Sequence, residues 1–565
     1  MWTIFLISCF ACFVGKTVGW QSEIIVTLPN GAIRGRVEET YSNVTFYAFQ
    51  QIPFAEPPVG KLRFLAPQPA KEWDGVLDCT METTICRQMY SISTIEGEDC
   101  LHLHVYTPVL PGSDPTLPVM FYIYGGGFEQ GSANYYGAGP HYFMEHDVVL
   151  VGINYRTGPL GFLSTGDTVI PGNGGLKDQN LALKWVQDNI QFFGGDPKKV
   201  TIFGQSAGAA SVSYQTLSKQ STADYLIMAF FRAAIAQSGA ALCPWTYQRH
   251  ARNIAYQFAA QFDSSFNESR SSEELLELLQ SIPEQDLADV AISFRPTGIN
   301  LNEIMDGFIY APVIEVDHDD AFFTERQYEV LSSGDFNQVP LLIGICSEEA
   351  IQNAANITSF HDSVAWFESD VRQMVNEDLH ITDDANKTLA GEQIRKIYTD
   401  GQLADDLSSA MRMFSDLYFT RGIRKHADIQ SRFTDVYFYQ FSYFGNMTGQ
   451  QLVELPGAGK VGHSGDYMYQ WAQGNQSNVH VFPDSDVLTH ERFMKLFTDF
   501  SKYLNPTPEE SELIQNLIWP KYTEDEPYYL DIDTELSIKE SPRGESYSKW
   551  LEVYETYGVQ PFDTY

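Results

Sequence analysis

Residues Val200-Thr201-Ile202-Phe203-Gly204-Gln205-Ser206-Ala207-Gly208-Ala209-Ala210-Ser211-Val212 decide how this chain is read. The first four predict a buried strand, and the small side chains after Gly208 predict a helix packed closely against it. Between them lies a G-x-S-x-G pentapeptide. In a chain with this Gly and Ser content it would arise by chance about 0.2 times, so the flanks carry the argument. A serine at a sharp strand-to-helix turn is held in a strained backbone conformation that lifts its Oγ clear of the sheet. The two glycines remove the Cβ atoms that would collide with that turn.

Outward from this elbow, further apolar runs predict buried parallel strands at Pro118–Tyr124, Val148–Ile153, Ala233–Ala236 and Leu341–Ile345. Val436–Tyr443 predicts a late strand. Ala182, Val186, Ile190 and Phe193 recur at helical spacing from near Leu176, and Gly194-Gly195-Asp196-Pro197 ends that helix. Ser272–Leu279 predicts a helix with Glu273, Glu274 and Glu277 on its wet side. Strands alternating with helices predict the α/β class, a doubly wound sheet rather than a sandwich. With the elbow, the expectation is an α/β-hydrolase fold: a large, mostly parallel central sheet, flanking helices and long insertions.

A serine nucleophile requires a base, a group that orients the base, and donors for the oxyanion. Tyr124-Gly125-Gly126-Gly127-Phe128 follows a predicted strand, and its glycines free backbone N–H groups to face a ligand. Gly126 and Gly127, with the N–H of Ala207, are the candidate oxyanion hole. Of twelve histidines, His463 lies in Gly459-Lys460-Val461-Gly462-His463-Ser464-Gly465-Asp466, beyond the core strands. Glu348 and Glu349 follow the Leu341–Ile345 strand. The order Ser206, Glu349, His463 is the hydrolase order of nucleophile, acid and histidine. His102 and His104 share one face of a predicted strand; without a carboxylate at defined spacing they read as packed or solvated side chains, not as metal ligands.

The net charge of −37, from 73 acidic and 36 basic residues, disfavours nucleic-acid and anionic-membrane partners. Trp2–Val14 is apolar but short for a membrane span and suits a secretory leader, with cleavage near Gly19. The expected organisation is a leader at 1–19 and one catalytic domain at 20–565, secreted and without a stable membrane anchor. N-x-S/T sequons at Asn43, Asn267, Asn356, Asn386, Asn446 and Asn475 agree with export. Cleavage would leave five cysteines, Cys79, Cys86, Cys100, Cys243 and Cys346, so at least one stays unpaired. Cys86 can close a small loop with Cys100, worth about 3 kcal/mol, and Cys79 competes on spacing.

Phe49-Gln-Gln-Ile-Pro-Phe-Ala-Glu-Pro-Pro-Val-Gly60 with Leu62-Arg63-Phe64, Glu98-Asp-Cys-Leu101, and Asn173-Gly-Gly-Leu-Lys-Asp-Gln179 through Gly204-Gln-Ser-Ala-Gly208 together resemble the signatures of the type-B carboxylesterase/cholinesterase family. The resemblance runs from about Glu23 to near the C-terminus. It implies Ser206 as nucleophile, Glu349 rather than Glu348 as acid, His463 as base, Gly126, Gly127 and Ala207 as oxyanion donors, and a Cys86–Cys100 disulfide. Cholinesterases carry a tryptophan inside that disulfide loop, and this loop has none. Gln205 stands where most members have Glu. G-Q-S-A-G, with Arg63-Phe64 and Asp178-Gln179, is similar to insect juvenile hormone esterases, and antennal and integument esterases look almost as close. Lys460 and Ala350 replace two family glycines.

The implied activity is a metal-free, cofactor-free serine carboxylesterase acting through an acyl-enzyme on neutral, apolar small-molecule esters. Candidate substrates are juvenile hormone methyl ester, ester odorants or pheromones, and xenobiotic esters for a general detoxifying enzyme. A reading from another class is a non-catalytic, neuroligin-like adhesion ectodomain, in which members of the triad are lost.

Overall fold

The structure, a computed structural model, describes residues 24–90, 93, 95–114, 116–223, 228–297, 303–472 and 478–565. The expected leader and the Asn475 sequon lie outside the described residues. The chain's long apolar runs meet in one 13-stranded sheet. In chain order its strands are β1 (Ile24–Leu28), β2 (Gly31–Glu39), β3 (Thr45–Pro53), β4 (Val76–Asp78), β5 (His102–Thr107), β6 (Leu117–Ile123), β7 (Val149–Ile153), β8 (Gly195–Gln205), β9 (Ala233–Gln237), β10 (Leu341–Cys346), β11 (Val436–Phe441), β12 (Tyr528–Ile532) and β13 (Leu536–Glu540).

The spatial order is β1-β2-β3-β5-β7-β6-β8-β9-β10-β11-β12-β13, with β4 beside β2. From β7 through β12 every neighbouring pair is parallel; the pairs joining β1, β2, β3, β5 and β7, and the β12–β13 pair, are antiparallel. All residues of β7, β9 and β10 are buried. Such strands need cover on both faces, which is why they read as continuous apolar runs instead of alternating ones. The edge strand β1 instead alternates between buried and exposed positions from Ile25 to Leu28.

Helix α1 (Gly174–Asn189) runs into a short 3-10 turn and ends at left-handed Gly194, where the sequence puts its stop. Helix α2 (Ala207–Leu217) is buried along its whole length, so only its small residues allow it to lie on the sheet. Helix α3 (Ser272–Ser281) starts with a Ser271–Glu274 capping box and exposes Glu273, Glu274 and Glu277. Cys86 and Cys100 are bonded with Cα atoms 4.8 Å apart, while Cys79, Cys243 and Cys346 are buried thiols. No helix among the described residues is long and apolar enough to cross a membrane.

Candidate active site

The turn from β8 to α2 places Ser206 at φ 60° and ψ −126°, a conformation non-glycine residues adopt only when their surroundings impose it. Those surroundings are identifiable. The Ser206 N–H donates to the Gln237 carbonyl at 2.8 Å, at the end of neighbouring β9. A Cβ on Gly204 or Gly208 would lie 2.5 or 2.1 Å from the Ile123 carbonyl at the end of β6. Packing between β6 and β9 therefore needs both glycines, and it holds the serine up.

The loop after β6 crosses directly over the elbow. A Cβ on Gly125 would fall 2.4 Å from the Gln205 carbonyl and 3.0 Å from Ser206 Cβ. Gly126 and Gly127 follow at φ 111° and 66°, so their backbones turn in a way that side-chain-bearing residues resist. Gly126 and Gly127 thus continue the loop whose Gly125 packs on the elbow, and Ala207 follows Ser206 at the start of α2.

His463 Nε2 lies 2.8 Å from Ser206 Oγ, and His463 Nδ1 lies 2.8 Å from Glu349 Oε2. Glu349 is buried, and its second oxygen accepts the Cys346 N–H at 2.8 Å. The two loops carrying acid and histidine are laced together. Glu348 N–H donates to the Val461 carbonyl and His463 N–H to the Glu349 carbonyl, each at 2.9 Å. His463 is therefore held by its backbone, not carried on a loose loop. Glu348 points the other way. Its side chain is fully buried, paired with Arg543 at 2.5 Å, and it accepts the Gly459 N–H at 3.0 Å.

Three aromatic rings connect the histidine to the glycine loop. Phe419 stacks on the His463 imidazole with centroids 4.4 Å apart. Trp245 lies 5.8 Å from Phe419 and 5.6 Å from Phe308, and a Cβ on Gly127 would be 3.7 Å from the Phe308 ring. Phe308 and Phe419 are only half-buried. Phe419 sits in a π-helical turn, Asp416–Thr420, between two α-helical segments; the extra residue in that turn re-aims side chains. Gln205 is buried with its amide nitrogen 3.4 Å from His463 Nε2.

Three residues past the histidine, Asp466 is fully buried, and no cationic side chain among the described residues pairs with it. It accepts from Gln237 Nε2 at 3.1 Å and from the Tyr439 hydroxyl at 2.9 Å, and burial raises its carboxyl pKa above the usual range. Sequence reasoning missed this residue and Phe419, because their partners are far away in the chain. Other singled-out motif residues are scaffold. Arg63 pairs with Glu98 at 2.5 Å and Asp178 with Arg156 at 2.7 Å, and Gln179 donates to Ser211 on α2 at 3.1 Å. His102 and His104 are buried in β5. Burial lowers the His102 pKa to about 4, and His104 lies 3.1 Å from Glu82.

Sheet order and elbow together define an α/β-hydrolase. The sequence profile of the Carboxylesterase family matches residues 22–550. Venom carboxylesterase-6 of Apis mellifera is 32% identical over 543 residues, covering 92% of each chain. Juvenile hormone esterase of Tribolium castaneum is 33% identical over 531 residues, covering 90% of this chain and 87% of that one. The crystal structure of juvenile hormone esterase from Manduca sexta, with OTFP covalently attached, superposes with a TM-score of 0.79 at 27% identity. The match covers 94% of this chain and all of that one. The chain belongs to the carboxylesterase family, and it is a carboxylic ester hydrolase.

Proposed function

We propose that ester hydrolysis proceeds through an acyl-enzyme on Ser206. His463 Nε2 takes the Oγ proton as Oγ attacks the ester carbonyl, and the resulting oxyanion receives hydrogen bonds from the N–H groups of Gly126, Gly127 and Ala207. Each such donor typically contributes about 2.7–4 kcal/mol. The carbonyl re-forms, the C–O bond to the alcohol breaks, and His463 returns its proton to the departing oxygen. Water, deprotonated by the same nitrogen, then cleaves the acyl–serine ester. Glu349 fixes the imidazole tautomer and stabilises the imidazolium. The observation that carries this reading is the unbroken chain Glu349–His463–Ser206, with both links at 2.8 Å. That intact chain also argues against the adhesion reading.

The substrate class we propose is neutral, apolar esters, including sesquiterpenoid methyl esters of the juvenile hormone type and long-chain alkyl acetates. Support comes from the half-buried rings of Phe308 and Phe419, backed by buried Trp245, which offer apolar surface and no charge, and from neutral Gln205 beside His463. The relatives named as juvenile hormone esterases favour the methyl ester. We further propose a secreted enzyme with a leader at 1–19 and one domain at 20–565. Glycans would sit on Asn43, Asn267, Asn356, Asn386, Asn446 and Asn475, the first five of which are exposed.

Hydrolysis of a chromogenic short-chain acetate by wild type and Ser206→Ala tests the chemistry; equal background rates would end it. Comparing kcat/KM for a sesquiterpenoid methyl ester with that for long-chain acetates tests the substrate. A hundredfold preference for acetates would remove the hormone proposal and leave the esterase intact.

A further inference from the structure

The disulfide loop reaches the glycine loop through the Gln88 side chain and the Met89 backbone. Gln88, two residues past Cys86, is 2% exposed. Its Nε2 donates to the Gly131 carbonyl at 3.0 Å, and its Oε1 accepts the Gly131 N–H. One side-chain amide thus occupies both backbone groups of Gly131, as a neighbouring antiparallel strand would. The same Nε2 also donates to the Cys86 carbonyl. The next residue, Met89, donates its N–H to the Glu129 carbonyl at 3.0 Å.

Gly131 closes the turn that opens at Gly125: a Cβ on it would lie 2.4 Å from the Gly125 carbonyl. Within the turn, the Gly126 carbonyl accepts from both Glu129 and Gln130 N–H groups at 3.1 Å. The directions of the Gly126 and Gly127 N–H bonds are therefore set by where residues 129–131 are held. Those residues are held by Gln88 and Met89.

We propose that Gln88 is a positioning residue for the oxyanion hole, and that the Cys86–Cys100 loop belongs functionally to that hole. This rests on the reading of Gly126 and Gly127 as oxyanion donors. Donors of this kind work only when aimed, within about 0.5 Å, at the place where charge develops, and losing one outright costs roughly 10²–10³ in kcat. Without the Gln88 amide, the part-buried N–H and C=O of Gly131 lose their protein partners, and the turn is free to shift to satisfy them. A shifted donor pair should cost less than a missing donor, so about 10–100-fold in kcat.

Gln88→Met removes the amide at similar volume, and Gln88→Glu keeps the acceptor for Gly131 N–H while losing both donations. The readouts are kcat and KM for a chromogenic acetate, Ki for a trifluoromethyl ketone, whose serine adduct carries an oxyanion, and Ki for the matching alcohol, which carries none. Gln88→Met should lower kcat about 10–100-fold, leave KM and the alcohol Ki within about threefold, and weaken the ketone by the same factor as kcat. Gln88→Glu, which sets a carboxylate oxygen against the Cys86 and Gly131 carbonyls, should lower kcat at least as far as Gln88→Met, and it carries the same comparison should Gln88→Met not fold. The proposal is overturned if kcat stays within twofold of wild type, or if KM and the alcohol Ki rise as much as the ketone Ki. A wild type no faster than Ser206→Ala would instead strike the esterase site itself.

Discussion

Glu349→Gln changes one atom in the hydrogen-bond chain, and the structure says what that atom must do. Glu349 Oε1 accepts the Cys346 N–H and Oε2 faces His463 Nδ1, both at 2.8 Å. A glutamine can offer only one oxygen. In the ground state that oxygen turns to the Cys346 N–H, and the NH₂ donates to His463 Nδ1. The proton then sits on Nε2, where it blocks acceptance of the serine proton. Reaching the productive arrangement requires flipping the amide, which leaves a buried N–H opposed to a donor at a cost of about 1–3 kcal/mol. A neutral acceptor also stabilises the imidazolium less than a carboxylate, by about 1–2 kcal/mol. Together these give about 2–5 kcal/mol, or roughly 30- to 5,000-fold in kcat. Steady-state hydrolysis of a chromogenic acetate measures it, and KM should change little. A kcat within threefold of wild type would refute the assignment of Glu349.

Glu348→Gln should do the reverse, because it breaks the pair between fully buried Glu348 and part-buried Arg543: a loss of about 2–4 kcal/mol of stability by denaturant titration, with kcat kept within about threefold. Gln205→Glu puts a carboxylate beside the reacting atoms and should improve kcat/KM for a cationic choline-type ester, relative to its neutral isostere, by roughly 5- to 30-fold, about 1–2 kcal/mol; an unchanged ratio would contradict the role given to Gln205. His380 is hydrogen-bonded to Asp563, which raises its pKa above the ordinary 6.5. Its contribution is complete below that unfolded-state value and is lost as pH rises through the raised folded-state value. Wild type should therefore exceed His380→Gln in Tm most at pH 5.5, and the gap should shrink towards pH 8.5; a gap that widens would refute the pairing.

How much was legible in the sequence follows from how local each cause is. The elbow could be read because its strand, glycines and helix are contiguous, and the parallel core strands because burial on both faces makes them apolar runs. Several ends were misplaced by a residue or two: β6 begins at Leu117 and β11 ends at Phe441. Strand β8 starts five residues before Val200, its register broken between Gly195 and Val200, where charged residues hide the pairing. Strands β12 and β13 and the antiparallel β1–β3 were not predicted: β1 (Ile24–Leu28) and the Phe46–Phe49 part of β3 are apolar, but runs this short do not by themselves distinguish strand from helix. Glu349 and His463 followed from chain order and family motif, yet Glu348 could not be distinguished by its own chemistry, because Arg543, which buries it, lies 195 positions away. Phe419 depends on a π-helical turn that no apolar period encodes, and Gln88 on hydrogen bonds across 43 positions.

The most direct measurement is covalent. After incubation with diethyl p-nitrophenyl phosphate, peptide mass mapping should find one phosphoryl group per chain, on the peptide containing Ser206. Its appearance should match the loss of esterase activity, and Ser206→Ala should show neither label nor activity. A label on another residue, or undiminished hydrolysis by Ser206→Ala, would contradict the account.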